Sequence, residues 1–345
     1  MSNRIVQLVP DLQAWGGVSS FAIELASALE DGAGIRTRFV TANPGVGADG
    51  PRDEHRLSAR DADALAVELA DGDGSPILLH YVNYGYAKRG CPRWLVDGFE
   101  RWRTARPRQR LVTIFHELYA TGLPWQSSFW LSPMQRRLAA RMQRLSDSAV
   151  TSLERYSATL RSWQPGTHVA TLPVFSTVGE PSPPPPLSKR RPRMVVFGSA
   201  GLRDRAYAAG AATLLRASTA LGVEEIVDVG PGHVAPRSVG QIAVRALGEQ
   251  PTPAVSALLA ESLAGFLWYP ADFLSKSTVF AALCAHRIVP VCSWHRYRGS
   301  QPDERFWNPS QSDRADWQAT ADAAHEWYQA HGLQHHVMLY SSLLQ

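Results

Sequence analysis

A short buried-type strand, a glycine turn and an amphipathic helix occur in that order twice in this chain, on either side of a proline run. The first instance opens the chain. Arg4–Val9 reads as a strand and Trp15-Gly16-Gly17 as the turn. Val18, Phe21, Ala22, Leu25 and Leu29 then mark one face of a helix that Gly32 and Gly34 can stop. The second follows Pro181–Pro186 and Lys189-Arg190-Arg191-Pro192-Arg193, where the proline run makes a stiff spacer. There Met194–Phe197 leads into Gly198-Ser199-Ala200-Gly201, and a helix of small residues is expected from about Arg205. Further strands are expected at Thr37–Thr41, Ile77–His80, Leu111–Phe115, Glu225–Val229, Ala243–Leu247, Gly265–Tyr269 and Ile288–Val291. Between them fall helices at Asp61–Ala70, Ser132–Leu145, Val255–Ser262, Ser277–His286 and about Asp313–His331. Strand alternating with helix is the pattern of a parallel α/β sheet, and its restart after the prolines means two such sheets.

Size agrees. At 345 residues the chain exceeds what one core ordinarily serves. The expected division is residues 1–180 as a first Rossmann-like domain, 181–193 as linker and 194–312 as a second Rossmann-like domain. Residues 313–345 are expected as terminal helices packing back on the first domain. With 45% hydrophobic and 19% charged residues the composition is that of a well-packed protein and excludes disorder. The net charge of +4 suits an anionic ligand or a loose contact with an acidic membrane surface without requiring either. Cys91, Cys284 and Cys292 are scattered, which excludes a disulfide framework and a compact thiolate metal site and points to a reducing, cytoplasmic setting. The apolar run at the N-terminus is too short for a signal core, and no stretch approaches the ~20 apolar residues of a membrane span.

The most specific chemistry lies in YPADFLSKSTVFAALCAHRIVPV, residues 269–291. A strand ends at Tyr269-Pro270, a loop carries Ser275, Lys276, Ser277 and Thr278, and an alanine-rich helix follows. Ser275 or Ser277 can cap that helix, whose first N–H groups and dipole favour an anion, with Lys276 as a point charge beside it. A diphosphate suits this arrangement; an ordinary capped helix with a solvent-facing lysine explains it equally. His116-Glu117 ends a strand, where the carboxyl ends of a parallel sheet open onto ligands. Glu117 is a candidate general base or acceptor-binding carboxylate, and a hydrogen-bonded structural pair is the alternative.

Taken together these segments resemble the large group-1 family of GT-B glycosyltransferases. The likeness is carried by AWGGVSSFAIELASAL (14–29), FHELYA (115–120), LPVFSTVGE (172–180) and the 269–291 segment. It implies an α/β, GT-B-like fold, with two Rossmann-type doubly wound domains facing a central cleft. It also implies transfer of a sugar from a nucleotide-diphosphate donor with retention of configuration, and no metal or separate cofactor. By resemblance, Gly16 and Gly17 approach the donor phosphates and the acceptor, and His116 contacts the donor sugar or orients the acceptor hydroxyl. An arginine and a lysine after the second domain's first strand neutralise the leaving diphosphate in such enzymes. Here Arg203 and Arg205 are the candidates, with Ser199 beside them, although the usual spacing is not kept. Two solvated arginines at a helix start are the alternative. Leu247-Gly248, after a strand, would line the base. The family's E-x7-E glutamates would fall at about Leu274 and Ala282, so both are missing; this chain resembles a branch with a Lys-Ser loop instead.

Other features point elsewhere. Asp61-Ala62-Asp63 and Asp71-Gly72-Asp73 match a D-x-D metal motif but flank a helix rather than follow a hydrophobic strand. Gly230-Pro231-Gly232 is too incomplete for a dinucleotide fingerprint, and His335-His336 lack partners at ligand spacing. Arg136, Arg137, Arg141 and Arg144, preceded by Trp125, Phe129 and Trp130, read either as a helix face resting on an anionic membrane or, more commonly, as a solvated face with its aromatics in the core. The KRRPR run reads as a solvated linker and not as a nucleic-acid patch. The missing glutamates leave a second class open, a degenerate protein that holds a nucleotide or glycan or partners an enzyme. A third is a GT-B-like epimerase or phosphorylase, since fold does not fix reaction.

Overall fold

In the computed structural model of the chain, the described residues are 3–12, 16–42, 53–71, 73–122, 125–232, 235–293, 304–309 and 316–345. They divide into two compact units, Met1–Pro173 with Gln334–Gln345, and Val174–Leu333.

The first unit comprises β1 (Arg4–Val9), α1 (Gly17–Ala33), β2 (Arg36–Thr41), β3 (Glu54–Arg56), α2 (Ala62–Ala70), β4 (Ile77–Tyr81) and α3 (Asn83–Tyr86). It continues with α4 (Arg93–Ala105), β5 (Leu111–Phe115), α5 (Ser127–Leu145), β6 (Ser148–Thr151), α6 (Glu154–Trp163) and β7 (His168–Thr171). The second unit holds β8 (Arg191–Phe197), α7 (Ala200–Tyr207), α8 (Ala211–Ala220), β9 (Glu225–Val229), β10 (Ser238–Val239) and β11 (Ile242–Gly248). It ends with α9 (Thr252–Glu261), β12 (Ser262–Trp268), α10 (Thr278–Ala285), β13 (Val289–Ser293) and α11 (Trp317–Gln329). The last helix, α12 (Leu333–Leu344), belongs to the first unit from Gln334 onward.

The first sheet is parallel throughout, in the order β3-β2-β1-β4-β5-β6-β7. Its central strands are near-continuous apolar runs because helices cover both faces. Val6, Leu8, Ile77, Leu79 and Tyr81 pack with Leu65, Leu69, Leu95, Phe99 and Trp102 of α2 and α4. The opposite face carries Gln7 and His80 under Phe21 of α1. The direction in which successive strands are added reverses between β1 and β4, so the loops after these strands diverge and leave a crevice at their carboxyl ends. The second sheet has the order β10-β11-β9-β8-β12-β13, with only the β10–β11 pair antiparallel. Its switch point lies between β8 and β12.

Several boundaries differ from the sequence expectation for physical reasons. The helix after β8 begins at Ala200, not near Arg205, because Ser199 in an extended conformation is already its N-cap. Residues 93–105 and 148–171, left unassigned by pattern, form α4, β6, α6 and β7. The expected helix start at Asp313 and the turn residue Trp15 lie outside the described residues.

The basic run after the prolines is not a solvated linker. Strand β8 starts inside it, at Arg191, and the Arg193 side chain is buried against Glu225, with Nε 2.9 Å from the carboxylate. Arg190 is buried too, and donates to the carbonyls of Pro185, Ser262 and His286. Burial pushes its guanidinium down to about 10. The basic helix begins at Ser127 and not at Ser132, so it takes in Phe129 and Trp130, and the aromatics at its start are not in the core either. Trp125 is 78% exposed and Trp130 72%, with Phe129 beside Trp130. The arginines of α5 divide their work. Arg141 pairs with Asp97 and Glu100 of α4, and Arg136 lies 5.9 Å from the ring centroids of both Tyr119 and Trp163. Arg137 and Arg144 face outward.

Candidate active site

At the switch point of the second sheet, three strands end on glycines in the left-handed half of the backbone map: Gly198 (φ 124°), Gly230 (φ 141°) and Gly248 (φ 66°). Gly198 N–H donates to Val229 O at 3.2 Å, and Gly230 N–H to Gly248 O at 2.9 Å, so the strand ends are laced together. A side chain at Gly230 would place its Cβ 2.3 Å from the Gly198 carbonyl oxygen, which no rotamer relieves. Beneath this knot lies Arg203. Its side chain has no exposure, and it forms an ion pair with Asp228, itself buried in β9. Nε donates to Gly198 O at 3.0 Å and Nη2 to Pro231 O. The guanidinium expected to face a diphosphate is therefore committed inside the unit, where it holds the glycine loops in register. Arg205, one helical step on, is exposed, as is Ser199.

Across the switch point, a short turn over Ala271–Lys276 delivers the chain to α10. Ser277 Oγ accepts from Phe280 N–H at 3.2 Å and is the N-cap; Ser275 is not, its carbonyl instead accepting from Val174 N–H at 2.9 Å. Thr278 is the first helical residue, and Lys276 Nζ stands 5.7 Å from the Phe273 ring centroid. The β8 turn and the start of α10 touch, since a Cβ on Gly198 would meet Val279 at 3.1 Å. Ser199 and the Ser275–Thr278 segment are thus brought to one end of one sheet. Leu247 and Gly248 sit at the same end, after β11, with the Leu247 carbonyl taken by Gln250 Nε2 at 2.8 Å. Leu274 and Ala282, the places where the family pattern would set glutamates, are core positions with almost no exposure.

In the first unit, the loop after β1 is fastened by Ser19 Oγ, which donates to Asp11 O at 3.0 Å and lies 3.1 Å from Asp11 Oδ1. Gly16 in extended conformation starts α1 without a side-chain cap, and no acidic residue stands in the first turn. A Cβ added at Gly17 meets nothing within 4 Å. His116 follows β5, its N–H donating to Tyr81 O at 3.1 Å, so the ladder between β4 and β5 carries one residue past the strand. Its ring lies edge to edge with that of His80 and nearly coplanar with it, centroids 5.4 Å apart and planes 13° apart, and Phe21 meets it edge-on at 5.5 Å. Glu117 is half-buried, and its charge adds to the burial that raises the Tyr156 phenol. Buried Asn83, the first residue of α3, donates Nδ2 to Leu118 O at 2.9 Å, which pins the segment after Glu117.

Pattern reading missed Gln7, His80 and Asp228. Each is a polar residue interrupting an apolar run, in IVQLV, ILLHY and IVDV, and that interruption is the available signal, because a buried polar group requires a partner. Among the described residues no group of three or more His, Cys, Asp or Glu could hold a metal ion. No helix there is long and apolar enough to cross a membrane.

No protein-family model and no curated protein sequence matches the chain. Solved structures do match, over nearly its whole length. The pneumococcal O-GlcNAc transferase GtfA, in complex with UDP and GlcNAc, superposes with a TM-score of 0.66 at 7% identity, covering 99% of this chain and 98% of that one. An α,α-trehalose-phosphate synthase (UDP-forming) from Burkholderia vietnamiensis gives 0.60 at 12% identity, covering 100% and 97%. An α-glucosyltransferase in complex with UDP and a 13-mer DNA containing a HMU base gives 0.59 at 11%, covering 99% of each chain. Identities this low speak to the fold alone. With its two largely parallel α/β sheets, the chain has the GT-B fold of these glycosyltransferases.

Proposed function

We propose that the chain is a glycosyltransferase that moves a sugar from a nucleotide-diphosphate donor to an acceptor. The observation that carries this reading is the approach of Gly198 to Val279, which sets two independently expected segments, Gly198-Ser199 and Ser275–Thr278, beside the switch point of the second sheet. The diphosphate would lie against Ser199, Arg205 and the start of α10 with Lys276, and the base along Leu247-Gly248. Arg203 supports the loops rather than touching the ligand. Departure of a nucleotide diphosphate builds up negative charge, and helix N–H groups with fixed cations stabilise it without reorganising. In the first unit Gly16, Gly17, His116 and Glu117 are the acceptor-side candidates, Glu117 as base. Retention of configuration and independence from metal belong to the same proposal. The outward Trp125, Phe129 and Trp130 favour a lipid-linked acceptor presented at a membrane surface.

Titration calorimetry with a panel of nucleoside diphosphates and their sugar conjugates tests the reading. One diphosphate should bind, Lys276→Ala should weaken it by roughly tenfold, the worth of one charge-assisted contact, and slow hydrolysis of one sugar nucleotide should accompany it. Failure of every nucleotide to bind would sink the donor-site assignment. A second reading, a nucleotide- or glycan-binding protein without turnover, is favoured by one observation. Leu274 and Ala282 fill core positions where the family pattern sets carboxylates, so the usual ribose and sugar contacts have no counterpart there. Tight diphosphate binding with no hydrolysis, even with acceptor extracts present, decides for it.

A further inference from the structure

Gln7 in β1 and His80 in β4 have no exposed surface and no part in the proposal above. Gln7 Nε2 donates to Thr37 Oγ1 at 3.2 Å, and its Oε1 lies 2.9 Å from His80 Nε2. An amide oxygen only accepts, so Nε2 of His80 carries the hydrogen. Burial disfavours the charged form of this ring, and neighbouring His116 disfavours it further, so His80 is neutral. Its Nδ1 is then a lone-pair acceptor. That atom lies 3.2 Å from His116 Nε2, with the ring planes only 13° apart. His116 therefore supplies the hydrogen, from Nε2. Phe21 closes edge-on over both rings and keeps the pair from turning.

We propose that Gln7 and His80 form a buried chain that fixes the ring and the tautomer of His116, keeping its hydrogen on Nε2. Proton uptake or release by His116 then occurs at Nδ1. The bond to His80 is the same whether His116 is neutral or protonated, so a proton passes on and off Nδ1 without the chain rearranging. A histidine lacking such a partner divides between tautomers, and only one of them presents a base at a given place. His80 is a positioning residue, acting through His116. The relevance to catalysis rests on the acceptor-side role proposed for His116; the hydrogen-bond chain does not.

Long-range proton–nitrogen NMR spectra of the full chain labelled with nitrogen-15 histidine test the proposal, with His116→Gln used for assignment. Near neutral pH, His80 should be neutral with its hydrogen on Nε2, and His116 should show Nε2 protonated. A hydrogen on Nδ1 of His80 would mean the chain runs in the opposite sense, and overturns the proposal. Gln7→Met removes the acceptor that sets the chain, so His116 should become a mixture of tautomers; an unchanged His116 signal also overturns it. If Gln7→Met does not fold, Thr37→Val, which frees the Gln7 amide to turn over, should give the same change in weaker form. In turnover of a sugar nucleotide, Gln7→Met should lower kcat by roughly tenfold with donor KM nearly unchanged, the mark of a lost transition-state contact. Native tautomers as stated in a protein that turns over no sugar nucleotide would sink the transferase reading and leave the chain standing.

Discussion

Single residues carry two predictions. Arg203 and Asp228 are a buried ion pair, so removing the arginine strands a carboxylate away from water and leaves the Gly198 and Pro231 carbonyls without their donor. Arg203→Ala should cost about 3–5 kcal/mol in denaturant unfolding of the second unit. The double change Arg203→Met with Asp228→Leu should recover part of that and no more, since the two carbonyls still lack a donor. A loss below about 1 kcal/mol would mean the pair is not buried in solution. His286 supplies the second. Its Nδ1 lies 2.8 Å from Ala282 O and its Nε2 2.8 Å from Ser256 Oγ, and burial, against a smaller opposing pull from the Ala282 carbonyl, pushes it down to about 4. The unfolded chain binds this proton near pH 6.5 and the folded one does not, so the contribution is complete above ~6.5 and fades as pH falls toward ~4. At ~1.4 kcal/mol per unit this amounts to about 3 kcal/mol. Buried His80 shifts in the same direction. Unfolding free energy should therefore fall between pH 7.5 and 5, and His286→Gln should flatten the curve. A native profile that is already flat would contradict it.

Elements show where sequence patterns carry information and where they do not. Strands β1, β4, β5 and β9 were legible as short apolar runs because both faces of a central parallel strand are buried. The turn at Gly198 was legible because its backbone, at φ 124°, needs glycine, whereas extended Gly16 and unobstructed Gly17 mark their turn without such a need. Strand β6 (SAVT) and the edge strand β7 (HVAT) are too short and too polar to stand out. Arg203 could be placed in the correct turn, but nothing local says that Asp228 waits beneath it in another strand; the partner that decides its role is non-local. For α5 the periodicity gave the helix and the wrong environment. The aromatics that usually fill a core sit outward, while Gln135 of the same helix ties it to Tyr84 and Arg89 through contacts of 3.2 and 3.1 Å. Between Leu118 and Ser146 the sequence holds no acidic residue. A basic, aromatic surface of this kind binds anionic bilayers through combined charge and interfacial insertion. The chain should sediment with vesicles containing phosphatidylglycerol and much less with neutral phosphatidylcholine vesicles. Trp125→Ala with Trp130→Ala should reduce that binding at least several-fold, with the melting temperature unchanged because neither ring is in the core. Equal sedimentation of the double variant would remove this surface from consideration.

At the scale of the whole chain, the integrity of the first unit turns on the last twelve residues or so. The chain leaves the first unit after Pro173, builds the second, and returns at Gln334. Helix α12 then completes the face of the first sheet that carries the candidate acceptor groups. His336 meets Phe21 at 5.7 Å and lies with Nε2 2.9 Å from Pro173 O, and Arg110 Nε donates to Leu343 O at 2.7 Å. Val337 stands over Gly32, where even a Cβ would come within 3.2 Å of it. Val337, Tyr340, Leu343 and Leu344 are buried. At roughly 1.5–3 kcal/mol for each fully buried apolar side chain, their sum rivals the 5–15 kcal/mol by which an entire domain is stable. A chain ending at Leu333 should therefore lose the cooperative unfolding transition of the first unit while keeping that of the second, whose core residues lie within 187–321. Two transitions in calorimetry of the full chain, reduced to one in the truncated chain, is the expected result. Both transitions surviving would show that α12 only decorates the first sheet. Because Phe21 lies between His336 and the His80–His116 pair, the same truncation should also average the His116 nitrogen signals toward the tautomer mixture of an unconstrained imidazole.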